Sequence, residues 1–594
     1  MGELLTLTAL ALAWGAARVT LRRRAVFLLG RHGHRLAPAV LLSVWLSGLM
    51  LGQATHSVVG MSFVAATPLL ALAWVSARRF PVLHARHRRW STIDAAAFIY
   101  AGLTVFFIDL WDVHCHSAVV GHLLRGNVPP TALNDPRFPL SYHSTYDAVV
   151  ALVMTALPVK LEVGLDLVTI GCIAITLTNL QAVSRLLFRS PLIAQLGRLL
   201  FLFGFGPVFI RYFLEPRDVE TLHGRTSQVF VDIMLRRPTS LGFALFTLAL
   251  GLLLSLYPRG AQPAPAARPR SLIFLLPTCA LLPMLSEEAT LMTGVLTLSL
   301  LVTGRIPWRW AAAAALAVAV GATQSGVVRG LLGQASMATP HLRWSWPPTL
   351  PAWNRSQEGV PVVSLGGLLV LLVEFGPVFF AAIGLALASR EPRRRVLLLP
   401  FVVALLLVSF ARMDNWPKAD LDRFLFYTTP TVFMLGAAIV ERLCRSDGPG
   451  TETTRTRSVV LSIGLALFAC VPAMIWATSM ALRELGETYR SHALGGDVRR
   501  NLSAVGAREP IVTDLANGNR LVQSGFLVVA PMTGSSVGQI SGDHFDEYVR
   551  GHLELARWFF LPENDDRVKG QPVVAREGDH VLVRAPRPTA APMR

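Results

Sequence analysis

The chain has 594 residues, of which 53% are hydrophobic and only 15% are charged, and its formal net charge is +18. This composition excludes an ordinary soluble protein and predicts a polytopic membrane protein. The basic residues lie in short clusters between apolar runs and no nucleic-acid-binding module is present, so we expect the charge to orient helices and expect no nucleic-acid partner.

Apolar runs of roughly 17 to 25 residues, the length that crosses ~30 Å of hydrocarbon, recur from the N-terminus to about Ala477. Arginine clusters between them mark candidate cytoplasmic loops, and successive clusters must be separated by an even number of crossings. The segment 146–159 breaks this parity and is too short to span, so we predict an amphipathic helix on the outer surface. The other runs predict about fourteen transmembrane helices, approximately over 3–19, 37–54, 58–77, 92–110, 164–183, 191–209, 239–257, 271–285, 289–303, 310–328, 363–388, 396–411, 424–440 and 458–478.

The predicted fold class is mostly α: a polytopic helical membrane protein with outer amphipathic helices and a small C-terminal α/β domain. Residues 1–91 are predicted as N-terminal transmembrane helices, and residues 92–479 as a transmembrane body whose first outer loop is 111–163. Residues 480–594 are predicted as the α/β domain, placed on the non-cytoplasmic side of the membrane. Most polar residues of the predicted loops therefore share one membrane face.

The fourth predicted span ends in Asp109-Leu-Trp-Asp112-Val-His114-Cys-His116. Asp109 and Asp112 are three residues apart, so on a helix both would point to the same side. A carboxylate partly shielded from water at this position is suited to accept a proton from a hydroxyl group. The alternative is that both acids only mark the membrane boundary.

Four histidines follow these acids, and imidazoles beside carboxylates are ligands for zinc or manganese. The spacing of Asp112, His114 and His116 matches no standard metal pattern. We therefore predict no cofactor, and keep a divalent metal as the alternative. Instead, we expect the following side chains to hydrogen-bond a substrate or the carboxylates: His116, Tyr142 and His143.

Glu287 and Glu288 interrupt a long apolar run. A tight outer turn between two helices explains them, yet adjacent acids at this depth need a polar cavity or a partner, so both are site candidates. Arginines in the outer loops run against the positive-inside bias and favour an anionic ligand such as a lipid phosphate. Those next to predicted helix starts are the candidates: Arg236, Arg237 and Arg423.

The C-terminal region has the patterns of a small α/β domain. Residues 510–514 (PIVTD) and 525–530 (GFLVVA) predict strands, and residues 543–559 predict an amphipathic helix. A turn at Glu577-Gly578 between two apolar stretches predicts a hairpin. The run TGSSVGQISG lacks a P-loop lysine and the GxGxxG spacing, so it is interpreted as a surface loop.

With these features the chain resembles the GT-C superfamily of membrane glycosyltransferases, which includes protein O-mannosyltransferases and lipid A aminoarabinose transferases. The resemblance is carried by a span that ends in an outer acid, here Trp111-Asp112-Val-His-Cys-His116, and by LLRGNVPP at 123–130. The segment Pro139-Leu-Ser-Tyr142-His143, which leads into the surface helix, also contributes. Two features depart from the family: its frequent Asp-Glu pair is Asp112-Val113 here, and about three helices precede the catalytic span.

The resemblance implies transfer of a sugar from a polyprenyl-phosphate carrier with inversion at the anomeric centre. It makes Asp112 the general base, with Asp109 in reserve, and places the phosphate against outer-loop arginines. The implied partners are the bilayer, the polyprenyl-phosphate-sugar lipid and a glycan, lipid or protein acceptor of the cell envelope. The implied location is the plasma membrane, and no nucleotide is needed.

Two other functions remain open from the sequence. A lipid or solute transporter also has many helices with buried charge, but it predicts polar residues within the spans and two similar halves, and neither is evident. A catalytically inactive scaffold for envelope assembly is the other alternative, because the Asp-Glu pair of the family is missing.

Overall fold

The computed structural model of the chain describes the following residues: 11–21, 35–79, 91–107, 113–130, 140, 143–157, 159, 161–204, 206, 237–257, 272–325, 341–344, 346–350, 360–414, 423–444, 452–484, 502–506, 509–514, 521, 526, 528–529 and 557–584. Most of these residues are helical, and the strands are few and short. The predicted fold class, a mostly α polytopic membrane protein with a small C-terminal sheet, is confirmed.

The helices follow the predicted apolar runs closely, because each run is long enough for several helical turns and is bounded by polar or proline-containing segments. Their bounds are: α1 11–21, α2 Ala37–Gly52, α3 Val58–Arg79, α4 Thr92–Phe107, α5 Val113–Leu124, α6 Thr145–Ala156, α7 Leu161–Leu187, α8 Pro191–Phe203, α9 Arg237–Leu254, α10 Leu275–Leu281, α11 Glu287–Val302, α12 Trp308–Gln324, α13 Leu365–Ala388, α14 Pro392–Val396, α15 Leu398–Phe410, α16 Arg423–Leu435, α17 Ala437–Leu443 and α18 Glu452–Glu484.

Among the described residues, six helices are long and apolar enough to cross a membrane. They are Ala37–Thr55, Gly60–Arg78, Leu161–Leu187, Leu365–Ala388, Arg423–Leu443 and Thr456–Ile475. Shorter apolar helices account for further runs, so the predicted number of fourteen spans remains a prediction. The predicted span 271–285 is broken into α10 flanked by two short 3-10 turns, since Pro277 and Pro283 lack the amide hydrogen that a regular helix uses.

Helices α2 and α3 form a hairpin in which two glycines allow the backbones to touch. Gly48 and Gly52 are four residues apart on one face of α2. A Cβ atom on Gly48 would lie 2.8 Å from the Cα of Ala65, and one on Gly52 would lie 2.6 Å from the Cα of Met61. This small-residue spacing is the one by which membrane helices approach closely without help from the hydrophobic effect.

A buried ion pair joins α4, α7 and α8. Arg198 Nε donates to Asp94 Oδ1 at 2.8 Å and its Nη2 donates to Oδ2 at 2.9 Å, so the pair is bidentate. Gln181 Nε2 donates to the same carboxylate at 3.1 Å, and the Ser91 hydroxyl donates at 2.8 Å. Asp94 and Arg198 are both buried. Every oxygen of the carboxylate therefore has a partner, which is the condition for tolerating charge in an apolar interior.

Two arginines of α14 cap the ends of other helices. Arg393 donates to the carbonyl oxygen of Tyr257, at 3.0 and 2.6 Å, and to that of Leu186 at 3.0 Å. Arg394 donates to the carbonyl oxygen of Leu187 at 3.0 Å. The carbonyls at a helix C-terminus have no partner within the helix and carry partial negative charge. The sequence analysis predicts only that this arginine cluster orients the helices. In the structure the cluster also joins α14 to the C-terminal ends of other helices.

Short strands lie among the predicted outer loops, where the sequence predicted none. They form two antiparallel pairs, β1 with β4 and β2 with β3. The first pair places β1 beside the residues that directly follow α15, and the second places β2 beside the residues just before α13. The bounds are β1 His341–Trp344, β2 Thr349–Leu350, β3 Val360–Pro361 and β4 Ala411–Asp414.

The C-terminal region contains a five-stranded mixed sheet in the order β6-β5-β7-β9-β8. The predicted strands near 510–514 and 525–530 and the predicted hairpin are confirmed, and Gly578 takes the positive φ of 62° that the tight turn needs. The predicted helix 543–559 is wrong at its C-terminal end, and residues 543–556 lie outside the described part. The strands are β5 Ile511–Thr513, β6 Val528–Val529, β7 Trp558–Pro562, β8 Val573–Glu577 and β9 His580–Arg584.

The error at residues 558–559 has a clear physical cause. The aromatic run of β7 is buried between β5, its parallel neighbour, and β9, its antiparallel neighbour. Aromatic side chains favour such a pleated, buried surface. Pairing with strands distant in sequence therefore decides the conformation, and the helical periodicity of the preceding residues does not extend into it.

Candidate functional site

Side chains from distant parts of the chain meet in one polar cluster, here called the His–Glu cluster. Its members come from α5, from α6 and the short segment that precedes α6, from α11 and from α16. Each member lies close enough to another to form an ion pair or to act on its charge. The members are His116, His143, Asp147, Glu287, Glu288 and Arg423.

His116 and Asp147 form the buried half of the cluster. The Nδ1 atom of His116 lies 3.0 Å from Oδ1 and 3.2 Å from Oδ2 of Asp147, and neither side chain is exposed to solvent. Burial raises the pKa of the Asp147 carboxyl above its ordinary value, and the nearby His116 and His143 offset that rise only in part. A carboxylate on one ring nitrogen fixes the orientation of the imidazole.

His143 and Glu287 form the second half. His143 Nε2 lies 3.3 Å from Glu287 Oε2. Burial alone would lower the pKa of His143, but the charge of Glu287 and a hydrogen bond to it outweigh burial, with a smaller contribution from Glu288, and raise the pKa. The favoured state is therefore an imidazolium facing a carboxylate. The loop before α6 is tied in this way to the start of α11.

The start of α11 is shaped by a serine cap. The Ser286 side chain accepts a hydrogen bond from the Ala289 amide at 3.0 Å, and its hydroxyl donates to Glu288 Oε2 at 2.6 Å. Two acids in the first turn of a helix also interact favourably with the partial positive charge there. The turn that the sequence predicted between two helices is thus the capped start of α11, and it places Glu287 and Glu288 in the His–Glu cluster.

Aromatic packing holds α16 beside this turn. Tyr427 stacks on Phe243 with ring centroids 4.9 Å apart, and it is fully buried. A Cβ atom on Gly242 would come within 2.9 Å of the Tyr427 hydroxyl, so a larger residue there would displace it. Arg423, one turn earlier on the same helix, acts electrostatically on both Glu287 and Glu288. The packing of α9 against α16 therefore sets where this guanidinium stands.

The cluster combines three carboxyl groups with a guanidinium and an imidazolium in a partly shielded place. The Oε1 atom of Glu287 is buried and has no hydrogen-bond partner among the residues that the structure describes. An acceptor of this kind suits a hydroxyl or amine of a ligand, since leaving it unpaired is costly. The arrangement is suited to hold a polar ligand that carries both hydroxyl and anionic groups.

The structure brings together five of the predicted site residues: His116, His143, Glu287, Glu288 and Arg423. Asp109, Asp112, Tyr142 and Arg236 lie outside the described residues, as does the side chain of Arg237 at the start of α9. Their predicted roles stay predictions. Within the described ranges, no three His, Cys, Asp or Glu side chains form a group that could hold a metal ion.

Sequence reasoning missed Asp147, Ser286 and Tyr427. Asp147 lies near the start of the segment predicted as a surface helix, whereas its side chain is completely buried. The available signal was a single acid followed by an uninterrupted apolar stretch, which requires a buried partner if that face packs inward. Tyr427 had no signal, because an aromatic residue within an apolar run is ordinarily core.

No protein-family model matches the chain, and no curated protein does. Solved structures similar to it include ArnT from Cupriavidus metallidurans bound to undecaprenyl phosphate, at 11% identity and a TM-score of 0.48, covering 85% of this chain and 100% of that one. The apo state of that ArnT has 12% identity and a TM-score of 0.46, covering 84% and 98%. The apo Archaeoglobus fulgidus oligosaccharyltransferase has 12% identity and a TM-score of 0.42, covering 79% and 69%.

These solved structures are GT-C glycosyltransferases, the group that the sequence resembles. All three TM-scores are below 0.5, and the identities are low. The likeness therefore carries no argument about function, which rests on the residues of this chain.

Proposed function

We propose that the protein is an integral membrane glycosyltransferase that moves a sugar from a polyprenyl-phosphate-linked donor to a cell-envelope acceptor on the outer face of the plasma membrane. The observation that carries this proposal is the His–Glu cluster. It joins acids, histidines and Arg423 from four separate places, all on the predicted outer face, and one of them is α5, the helix that directly follows Asp112.

The reaction is a substitution at the anomeric carbon with inversion. Asp112 takes the proton of the acceptor hydroxyl as that oxygen bonds to the anomeric carbon, and Asp109 is the reserve for this role. The bond from the anomeric carbon to the phosphate oxygen breaks at the same time, and the polyprenyl phosphate leaves with the electron pair. The proton on the aspartic acid then passes to water.

Arginines stabilise the charge of the departing lipid phosphate. Arg423 is the described candidate, and Arg236 and Arg237 are further candidates that precede or begin α9. A guanidinium placed in advance where negative charge grows lowers the barrier, because nothing has to reorganise as the bond breaks. His143 and Glu287 hold hydroxyl groups of the sugar or the acceptor, with the buried Oε1 of Glu287 as the acceptor atom.

The donor enters sideways from the bilayer. Helices α13 and α18 leave rows of large apolar side chains exposed, among them Leu368, Leu372, Ile463 and Leu467. In a membrane these rows face lipid chains, so a polyprenyl tail can lie against the body while its phosphate reaches the outer surface. The C-terminal region stands on the same outer side in this proposal.

The test is transfer of a labelled sugar from polyprenyl-phosphate-sugar to membrane acceptors by the full-length protein in lipid nanodiscs. We expect Asp112→Asn to lower kcat roughly 100-fold or more, since the variant keeps the shape but cannot take the proton. Asp566→Asn, an exposed acid of the C-terminal region, is the matched control and should leave transfer unchanged.

Arg423→Ala and Arg423→Lys separate charge from geometry. We expect Arg423→Ala to lose most of the transfer activity and Arg423→Lys to lose part of it, because lysine keeps the positive charge but not the planar guanidinium group. Absence of transfer by the wild-type protein with every donor of this class would favour an inactive scaffold. Movement of the lipid without transfer would favour a transporter.

A further inference from the structure

Helix α5 has polar contacts at both of its ends, and they lead to different parts of the molecule. Near its start, His116 pairs with Asp147 of α6 inside the His–Glu cluster. At its end, His122 and Arg125 contact the C-terminal region. The helix has 12 residues and is therefore about 18 Å long.

The contact with the C-terminal region is direct. His122 Nε2 donates to the carbonyl oxygen of Phe526 at 2.9 Å, and His122 is fully buried. Arg125 Nη2 donates to the carbonyl oxygen of Val505 at 2.9 Å, and its guanidinium carbon lies 4.0 Å from the centroid of the Phe526 ring. His122 of α5 and Arg125, which directly follows α5, thus contact two backbone carbonyls and one aromatic ring of the C-terminal region.

The protonation state of His122 and the burial of the neighbouring apolar side chains both stabilise this contact. Burial lowers the pKa of His122 to about 4, so the ring is neutral at physiological pH and donates from Nε2. Leu502, Val505 and Phe526 are buried and continuous with the apolar core of the helical body. A buried carbonyl that lost its donor would be left unpaired, which opposes separation of the two parts.

Helix α5 also packs against α6, and its apolar residues Val119, Val120 and Leu123 are buried. An isolated helix of this length is marginal in stability, so its position depends on what it packs against. The apolar face fixes α5 against α6 laterally, whereas the contacts of His122 and Arg125 fix it along its axis. Displacement along the axis would carry His116 away from Asp147.

We propose that the C-terminal region positions α5 for sugar transfer: by holding His122 and Arg125, it sets the register of α5 and thereby the position of His116 relative to Asp147. This inference rests on the proposed function. It makes His122, Arg125 and Phe526 positioning residues: the first two contact the C-terminal region, Phe526 belongs to that region, and all three act through α5. The C-terminal region then contributes to sugar transfer, because it fixes the position of α5.

The experiment uses the full-length protein in nanodiscs, with two readouts on the same samples: amide hydrogen exchange of residues 113–124 and the kinetics of sugar transfer. Arg125→Ala, Phe526→Ala and the double variant remove the contact, and Arg125→Lys is the conservative variant. Arg576→Ala, which breaks an exposed ion pair with Glu563, is the matched control in the same region.

We expect Arg125→Ala to speed exchange of the α5 amides roughly tenfold or more while the amides of β7, β8 and β9 keep their protection. Transfer should fall by a similar factor in kcat, with KM for the lipid donor unchanged, because a displaced helix misplaces the reacting groups without removing the donor site. Arg125→Lys should recover part of both losses. The double variant should be little worse than either single variant, since both remove one contact.

Three results would overturn the inference. Unchanged exchange of α5 in both single variants would mean that the contact does not hold the helix. Faster exchange with unchanged kcat would mean that the register of α5 does not matter for transfer. Loss of protection in β7, β8 and β9 for every variant would mean that these residues only fold the C-terminal region. A wild-type protein without transfer would instead end the proposed function and this inference with it, while the exchange readout would still report the contact.

Discussion

His580, in the C-terminal region, lies between two carboxylate groups. Its Nε2 lies 2.7 Å from Asp514 Oδ2, and its Nδ1 lies 2.6 Å from Asp579 Oδ1. Burial alone would lower the pKa of His580, but hydrogen bonds to both carboxylates outweigh burial and raise the pKa above its ordinary value. Since both ring nitrogens donate, the histidine is an imidazolium that ties β9 to the end of β5.

This histidine predicts a stability loss on the alkaline side. A raised pKa in the folded state means that the folded chain binds the proton more tightly than the unfolded chain. The stabilisation is fully present below the unfolded pKa of about 6.5 and is lost as pH rises through the higher folded value. We expect the thermal unfolding midpoint of the C-terminal region to fall as the pH rises above about 6.5.

His580→Gln should remove most of that pH dependence, because glutamine keeps hydrogen-bonding groups but does not titrate. The measurement is thermal unfolding of the full chain in detergent, followed by tryptophan fluorescence at several pH values. Asp514→Asn is the second variant and should shift the transition to lower pH. An equal decline in the wild-type protein and in His580→Gln would contradict the assignment.

At the scale of single elements, the pair of Asp94 and Arg198 decides how α4, α7 and α8 are joined. Replacing one partner leaves the other as an uncompensated buried charge, whereas replacing both with apolar residues removes the problem. We expect Asp94→Asn to lower the free energy of unfolding by about 3–5 kcal/mol. Asp94→Leu combined with Arg198→Met should recover most of the loss.

Thermal unfolding in detergent measures this, and Glu563→Gln is the control, since Glu563 pairs with Arg576 in an exposed position where solvent screens the charges. The double apolar variant distinguishes charge from packing. If the double variant were as unstable as Asp94→Asn, the loss of the ion pair would explain the instability, and the unpaired charge left on Arg198 would not.

The α2–α3 hairpin makes a second prediction at this scale. We expect Gly48→Ala and Gly52→Ala each to cost about 1–3 kcal/mol, because a Cβ atom at either place meets backbone atoms of α3 that cannot move aside. Gly294→Ala, in the middle of α11, meets no atom within 4 Å. At that position the substitution should raise the free energy of unfolding by up to about 1 kcal/mol, because alanine has a higher helix propensity than glycine.

The measurement is again the unfolding midpoint, and the opposite signs of the two effects are the discriminating result. Destabilisation by Gly294→Ala equal to that by Gly52→Ala would mean that the hairpin has no close contact to disturb. The matched comparison excludes a general effect of alanine on membrane helices, because all three positions lie within apolar helices.

For the whole molecule, the arrangement of the membrane body predicts that the C-terminal region and the His–Glu cluster share one face. In a background without Cys115, we expect Asp566→Cys to react with a membrane-impermeant maleimide added outside intact cells. Arg309→Cys, on the predicted cytoplasmic side, should react only after the membrane is opened. The other cysteines, Cys172, Cys279, Cys444 and Cys470, are buried and should stay silent.

The reverse labelling pattern would invert the topology and would place the cluster in the cytosol, where the proposed lipid donor reaction would not have an outer acceptor. Labelling of both positions from outside would mean that an even number of spans separates them. That result would require the crossings between the arginine clusters to be counted again.

Much of the fold was accessible from the sequence because apolar length and arginine clusters are local properties. The helix starts of α2, α3, α4 and α8 agree with the predicted runs. The segment predicted as an amphipathic surface helix is helical as α6, but its residues from Thr145 to Leu152 are all buried, so this part of the helix packs inside the protein. Its placement on the outer surface stays a prediction. The strand β7 and the outer strands were not accessible, since each forms only by pairing with a segment distant in the chain.

The candidate site was accessible only as residue types. A histidine before α6, two acids at the start of α11 and an arginine at the start of α16 were each suspect for a local reason, namely charge beside an apolar run. That His143 meets Glu287, and that a buried Asp147 stands behind His116, depends on how the helices pack.

By itself the sequence determined that this is a membrane protein of many helices, where most of them begin and end, and which polar residues stand at helix ends, because hydrophobic length and charge bias act within a single segment. The tertiary structure alone decided which of those residues meet, that Asp94 and Arg198 neutralise each other, and that α5 connects the His–Glu cluster to the C-terminal region. These are contacts between segments up to 404 positions apart, and no local pattern encodes the distance between two such groups.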